Sequence, residues 1–234
     1  MSLILGFAEH EDASRVAEIH VAAFKSNEML LAQFPTPKVR DALQKSIELK
    51  ALADIDDSRT TVLVVRYLCS EDAVEGTVKG TVEEGTVEES SHECQSKGKV
   101  IAFAKWAHSV SNEEDYVEPP WIWPAGTDLK ILKDWTEVTD KAQLRAVGEA
   151  PCYRLTFMGT DPAYERRGAA TMMVKWGIDQ SKCDHVPAYL ESTLEAVPFY
   201  RKLGFVDVER LSLAYLTTGT NVSKVYEEIS FVYR

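Results

Sequence analysis

The chain predicts an α/β fold, a mixed central sheet flanked by helices. Three observations carry this. Helical and strand patterns alternate through the second half, as in layered α/β sheets. Leu155 to Ala170, LTFMGTDPAYERRGAA, is an apolar run, a tight turn and the start of an apolar helix. The last two segments, FVDVERLSLAYL and SKVYEEISFVY, are strand patterns joined at 217–221, where Gly219 and Asn221 suit a reversal. The chain of 234 residues, 45% hydrophobic, is long enough to bury one core, so a single domain over 1–234 is expected.

Taken in order, residues 3–9 (LILGFAE) read as a first strand. DASRVAEIHVAAF follows, with Val16, Ile19, His20, Ala23 and Phe24 at helical spacing. A polar gap holds Pro35 and Pro37. VRDALQKSIELKAL is a second helix with Val39, Leu43, Ile47 and Leu52 facing inward. Residues 60–68, TTVLVVRYL, are β-branched and apolar, hence a strand. Residues 70–98 differ in kind: they are acidic, poor in large apolar side chains and carry three Gly-Thr-Val copies. They read as a long, flexible acidic hairpin insertion between two strands. KVIAFAKWAH, 99–108, returns to strand character. Residues 109–150 form a second insertion. Its Trp121 and Trp123 stand among Pro119, Pro120 and Pro124 as a rigid packed loop, and 128–149 read as a helix, in one piece or two. After the opening stretch, ATMMVKWGIDQSK is a helix with Ala169, Met172, Met173 and Trp176 on its core face. AYLEST, 188–193, is a strand. EAVPFYRKL is a short helix with Pro198 in its first turn and Gly204 ending it.

The balance of charge is −11, which disfavours nucleic acid as a partner and suits a cationic one. No run nears the roughly 18 apolar residues of a membrane span. The acidic N-terminus lacks the basic segment of a signal peptide, so a cytoplasmic protein without membrane contact is expected. Cys69, Cys94, Cys152 and Cys183 have no metal or disulfide spacing, so no metal is expected. The oligomeric state is not legible. The strand–turn–helix around Gly168 aims free N–H groups and the positive helix end at one spot, beside two arginines, and its natural guest is a phosphate or pyrophosphate.

TDPAYERRGAATMMVKWG followed by YLEST and AVPFYRKLGF resembles the GNAT superfamily of acyl-CoA-dependent N-acyltransferases, and in detail its fungal-type members. The first piece is similar to the family's Gln/Arg-x-x-Gly-x-Gly/Ala loop, the second to its later Tyr-x-x-x-Gly-Phe segment. The resemblance covers most of the chain and implies the GNAT fold, acetyl-CoA as co-substrate and an amine as acceptor. It implies that the backbone from Arg166 through Arg167, Gly168, Ala169 and Ala170 to Thr171 holds the pyrophosphate. Arg166 or Arg167 would add charge. Met158, Gly159 and Thr160 would pair with the pantetheine arm. Thr193 stands where many members place an asparagine near that arm. Tyr200 matches the tyrosine that protonates the departing thiolate. Glu165 departs from the signature, where Gln or Arg is usual.

Direct acyl transfer needs a neutral amine, stabilisation of the oxyanion and a proton for the thiolate. A backbone N–H near Met158 serves the second need and Tyr200 the third. Glu191, on the strand beside the reaction centre, is the first candidate for the base. His108 is the second; water relaying the proton to bulk is a third route. His20 reads as a core histidine, and Glu28 as a loop carboxylate that either faces an amine substrate or is merely solvated. The expected activity is acetyl transfer from acetyl-CoA to the amine of a small molecule. A protein or peptide N-acetyltransferase and a non-catalytic acyl-CoA-binding module are the alternatives.

Overall fold

A computed structural model describes residues 2–68, 98–108, 116–216 and 222–234. The acidic insertion, apart from Gly98, lies outside the described residues. So do 109–115 and 217–221, where the sequence suits a reversal.

Strand β1 (Ser2–Phe7) leads into helices α1 (Ala13–Ala23), α2 (Glu28–Gln33) and α3 (Pro37–Asp56). The short α2 occupies the gap that reads as polar loop. Asn27 starts it by accepting from the Leu30 N–H at 2.9 Å, and Thr36 with Pro37 starts α3. Strands β2 (Thr60–Leu68) and β3 (Lys99–Ala107) follow. Helix α4 (Leu129–Val147) is one continuous helix, capped by Asp128, which accepts from the Ile131 N–H at 3.0 Å. Then come β4 (Tyr153–Thr160), α5 (Ala169–Cys183), β5 (Ala188–Thr193), α6 (Val197–Lys202), β6 (Val206–Leu216) and β7 (Ser223–Tyr233).

The strands form one seven-stranded sheet in the order β1-β2-β3-β4-β5-β7-β6. Every pairing is antiparallel except β4 with β5. Helices cover both faces. One face packs Leu63, Ile101, Trp106, Leu155, Leu190 and Phe231 against α5 and α6. The other packs Val64, Val100 and Phe103 against α1 and α3, and Tyr189 and Val232 against α4.

The α5 contact depends on a missing side chain. A Cβ at Gly177 would stand 2.2 Å from the ring of Trp106, which is fully buried and donates from Nε1 to the Met173 carbonyl at 3.3 Å. Helix and sheet meet this closely only because position 177 is glycine. Gly177→Ala, although better for an isolated helix, is expected to destabilise the protein by about 2 kcal/mol through overpacking. A melting temperature equal to or above that of the parent protein would contradict this.

On the other face the 109–150 insertion is anchored through charge and aromatic contact. Glu118 pairs with Lys50 at 3.0 Å and Lys105 at 3.3 Å, and Asp54 pairs with the same two lysines at 2.5 and 2.9 Å. Trp121 and Trp123 stack at 4.6 Å, and Trp121 meets Phe157 of β4 edge-on. Two cations and two carboxylates thus balance locally beneath the aromatic loop.

Candidate active site

The parallel pair at the middle of the sheet opens into a cleft. Strand β4 pairs with β5 only from Tyr153–Leu155 to Ala188–Leu190. Beyond that point β4 stays bound to β3 as far as Thr160, and β5 stays bound to β7 as far as Thr193. The edges facing each other therefore carry backbone groups with no strand partner. A bulge marks the start of the divergence: β3 shifts register between Lys105 and Trp106, leaving Thr156 as the extra residue on β4. Its Oγ1 donates to the Lys105 carbonyl at 3.2 Å.

Past the end of β4 the chain turns at Asp161, which accepts from the Ala163 N–H at 3.0 Å and pairs with Arg15 of α1. Arg166 (φ +61°) and Gly168 (φ +97°) both adopt left-handed backbone. Gly168 is the residue before α5 and supplies no side-chain cap, and the first helical bond runs from the Met172 N–H to the Gly168 carbonyl. The N–H groups of Ala169, Ala170 and Thr171 are therefore left without intrahelical partners at the positive end of a helix of 15 residues. Nothing lies within 4 Å of a Cβ placed on Gly168, so the approach is clear. The guanidinium of Arg167 rests on the rings of Tyr67 and Tyr164 at 5.4 and 5.2 Å. Glu165 is exposed and extended. Charge, free donors and space at this loop fit a pyrophosphate, and the unpaired strand edges leading from it fit an extended arm.

Gly159 earns its place by packing. A Cβ there would stand 2.9 Å from Phe103 and 3.3 Å from Ala23 of α1. Met158 turns the other way, against the α5 core. Tyr200 of α6 is buried, with the rings of Phe199, Phe205 and Phe231 at 5.0, 5.9 and 5.9 Å. Burial, and after it the charge of Glu228, push its phenol well above the usual value, so it keeps its proton at neutral pH.

Glu191 is the first β5 residue past the last β4 pair, facing α4. Its carboxylate meets Arg154 at 2.9 Å. Burial pushes Glu191 above the usual carboxylate range, while Arg154 pulls it back. Thr193 lies two residues on, opposite Glu228 of β7. The other carboxylate and histidines stand apart. Glu28 pairs with Lys224 at 3.0 Å on an exposed surface. His108 bonds Thr61 at 2.6 Å just past the end of β3, beside the first residues of β2 and β4, opposite to the cleft. His20 is buried between Phe24, Phe103 and Phe157, and burial holds it at about 4, a neutral core side chain.

Glu228 is the residue that the sequence reading missed. Strand alternation puts it on the same face as Tyr226 and Val232, whereas its neighbour Glu227 points to the other face and meets Arg210 at 3.2 Å. A carboxylate on the apolar register of a strand was the available signal. Glu228 accepts from the Tyr226 hydroxyl at 2.6 Å, which in turn accepts from Asn27 at 2.8 Å. Burial raises its carboxyl to about 7. The ordinary value is 4.5, so between these two pH values the folded chain holds a proton that the unfolded chain has lost. Stability is therefore expected to fall as pH rises through that window. Glu228→Gln should melt above the parent protein at pH 8 and level with it at pH 4.5; an equal offset at both would count against this.

Among the described residues no group of three His, Cys, Asp or Glu side chains is placed to hold a metal ion, and no helix is long and apolar enough to cross a membrane.

The sequence profile of the acetyltransferase (GNAT) family matches residues 88–205, just over half of the chain. The chain belongs to the GNAT family. The match takes in the Gly168 loop and Tyr200. A probable acyltransferase, SID5 of Ajellomyces capsulatus, is 44% identical over 50 residues, which are 21% of this chain and 35% of that protein, so the chain covers about a third of that relative. Solved GNAT structures share the whole fold at low identity. A protein described as histone acetyltransferase HPA2 and related acetyltransferase, from Corynebacterium glutamicum, aligns at TM-score 0.54 with 17% identity, over 99% of this chain and 96% of its own. Arabidopsis thaliana NAA60 in complex with acetyl-CoA aligns at 0.51 with 15% identity, over 99% and 98%. A mosquito arylalkylamine N-acetyltransferase-like protein aligns at 0.55 with 14% identity, over 99% of each. The mixed sheet and its flanking helices are thus the GNAT fold.

Proposed function

We propose that this GNAT protein transfers an acetyl group from acetyl-CoA to the amine of a small molecule by direct attack. The observation that carries the reading is the cleft between β4 and β5, with a donor-rich loop at one end and a buried acidic face at its side. The backbone from Arg166 to Thr171 holds the pyrophosphate, with the charge of Arg166 or Arg167 beside it, and Met158 to Thr160 pair with the pantetheine arm. Thr193 flanks that arm from β5.

Nitrogen attacks only as the free amine, and for an alkylamine of pKa near 10.4 that state costs about 4–5 kcal/mol at pH 7. Carboxylates beside the cleft attract a cationic guest, which by itself holds the proton on the amine, so one of them must also receive that proton as a base. Glu191 contributes charge there, fixed by Arg154. Backbone N–H near Met158, just beyond the bulge at Thr156, faces the carbonyl oxygen as it gains charge. Tyr200 gives its proton to the departing sulfur; burial keeps that proton on the phenol at neutral pH.

The acceptor side supports a small molecule over a peptide. Helix α4 packs over β5, β6 and β7, α2 reaches β7 through Asn27 and Tyr226, and Trp121 lies against Phe157. Among the described residues that face is covered by helices and aromatic rings, which favours a compact acceptor. Thiol release from acetyl-CoA, measured against a panel of alkyl- and arylalkylamines, tests the reading. Amine-dependent release is expected. Tight CoA binding with no release from any amine would sink it in favour of a binding module, and release only with peptide N-termini would favour a protein acceptor.

A further inference from the structure

The roofed face beside the cleft holds two carboxylates with different partners. Glu191 pairs in register with Ser230, and Thr193 with Glu228, so Glu191 and Glu228 are diagonal neighbours on one face. Such neighbours stand on the order of 7–8 Å apart. Glu191 is committed to Arg154, which is itself largely buried and whose Nε has no hydrogen-bond partner among the described residues. A proton on Glu191 would take from that cation the closer of its two carboxylate partners, leaving only Asp140 of α4 at 3.8 Å, which is unfavourable in a buried site. Glu228 has neutral partners instead: the Tyr226 hydroxyl donates to it at 2.6 Å, and Asn27 donates to that hydroxyl at 2.8 Å. A proton on Glu228 strands nothing. The residue is only half-buried, so it is shielded by its surroundings yet reachable.

We propose that Glu228 is the catalytic base that takes the proton of the acceptor's ammonium group, with Tyr226 and Asn27 as positioning residues that hold its carboxylate. The assignment rests on the acetyl-transfer reading above. The proton balance closes. The ammonium gives one proton to the Glu228 carboxylate and becomes a neutral amine. Nitrogen adds to the thioester carbon, the C–N bond forms and the C–S bond breaks. Tyr200 protonates the sulfur, recovers a proton from the acylated nitrogen, and Glu228 releases its own to solvent.

The charges around Glu228 are consistent with this. Glu191 faces it from β5, backed by Arg154 of β4, and Tyr226 from its own strand; Tyr200 of α6, packed on the other sheet face, is near enough to be raised by its charge. Glu195 lies near Tyr226 on the turn before α6. On β6 the neighbouring charged side chain is Glu209, already held by Arg145 of α4 at 3.0 Å. No cation is directed at Glu228 by these contacts. Its carboxyl, raised to about 7, is partly ionised at neutral pH and basic enough to receive a proton.

The experiment compares the full-length parent protein with Glu228→Gln, Glu228→Asp, Tyr226→Phe and Asn27→Ala, using the alkyl- or arylalkylamine that the parent turns over best. Glu228→Gln is expected to lower kcat/KM for the amine at least 100-fold and to abolish the acid limb of its pH profile near 7. Its Kd for CoA, measured by calorimetry, should stay within threefold, which shows that the variant is folded. Glu228→Asp should retain the limb with reduced rate. Tyr226→Phe and Asn27→Ala should shift the limb rather than remove it. Turnover by Glu228→Gln within threefold of the parent, limb intact, would overturn the assignment while leaving the acetyl-transfer reading standing. A parent protein that binds CoA but acetylates no amine would overturn both.

Discussion

Tyr200→Phe is expected to lower kcat for amine acetylation at least tenfold, with little change in CoA affinity or melting temperature. The substitution removes one oxygen and leaves the ring among Phe199, Phe205 and Phe231. Packing is thus conserved, and the lost group is the proposed proton donor. A tenfold loss corresponds to about 1.4 kcal/mol of barrier, the low end of what a positioned acid contributes. The pH profile separates catalysis from packing. The parent protein's phenol is held high by burial, so the acid keeps its proton through neutral pH and the basic limb should lie well into the alkaline range. In the phenylalanine variant that limb should be absent. Unchanged kcat would remove Tyr200 from the mechanism and leave it as an aromatic core residue.

Gly168→Val is expected to weaken acetyl-CoA binding at least 30-fold. Two effects add. Gly168 holds φ at +97°, a left-handed conformation that costs an ordinary residue about 1–2 kcal/mol and a β-branched one more. Relaxing that strain swings the start of α5 and disperses the N–H groups of Ala169, Ala170 and Thr171. The new methyl groups would also fill the space that nothing now occupies within 4 Å. Loss of one charge-assisted hydrogen bond, about 1.5–3 kcal/mol, already exceeds a tenfold change in Kd. Calorimetric titration with CoA reads the result, and circular dichroism checks that the fold persists. A Kd within threefold of the parent protein would mean that the pyrophosphate lies elsewhere.

Much of the architecture was legible because its signals are local. Periodicity places the β-branched run at 60–68 and the apolar face of α5 on their elements, and Gly204 marks where a helix stops, whereas α3 starts at Pro37, within the stretch that reads as a polar gap. The strand–turn–helix at Gly168 was legible too, since the glycine answers to its own backbone angle. Helix α2 was not, because six residues carry too little periodicity and its start depends on an Asn27 side chain. The close seat of α5 on Trp106 was hidden for another reason: Gly177 is explained by a residue 71 positions earlier in the chain.

The candidate site divides along the same line. Sequence by itself determined the strand–turn–helix at Gly168, proposed to bind the anion, the strand that leads into it and the short helix bearing Tyr200, since each is a contiguous motif. It also marked Glu191 as a carboxylate near the centre. Only the tertiary structure decided what the carboxylates could do. Arg154 and Glu191 stand 37 residues apart, yet the order β4-β5-β7 lays them on one face with Tyr226, which Asn27, 199 residues from it in the chain, reaches from the start of α2. A carboxylate's proton affinity is set by what surrounds it: burial raises both, Arg154 pulls Glu191 part of the way back, and Glu228, with no cation beside it in these contacts, is left at about 7. Those surroundings are assembled by strand order and register, which bring together residues that no local pattern relates.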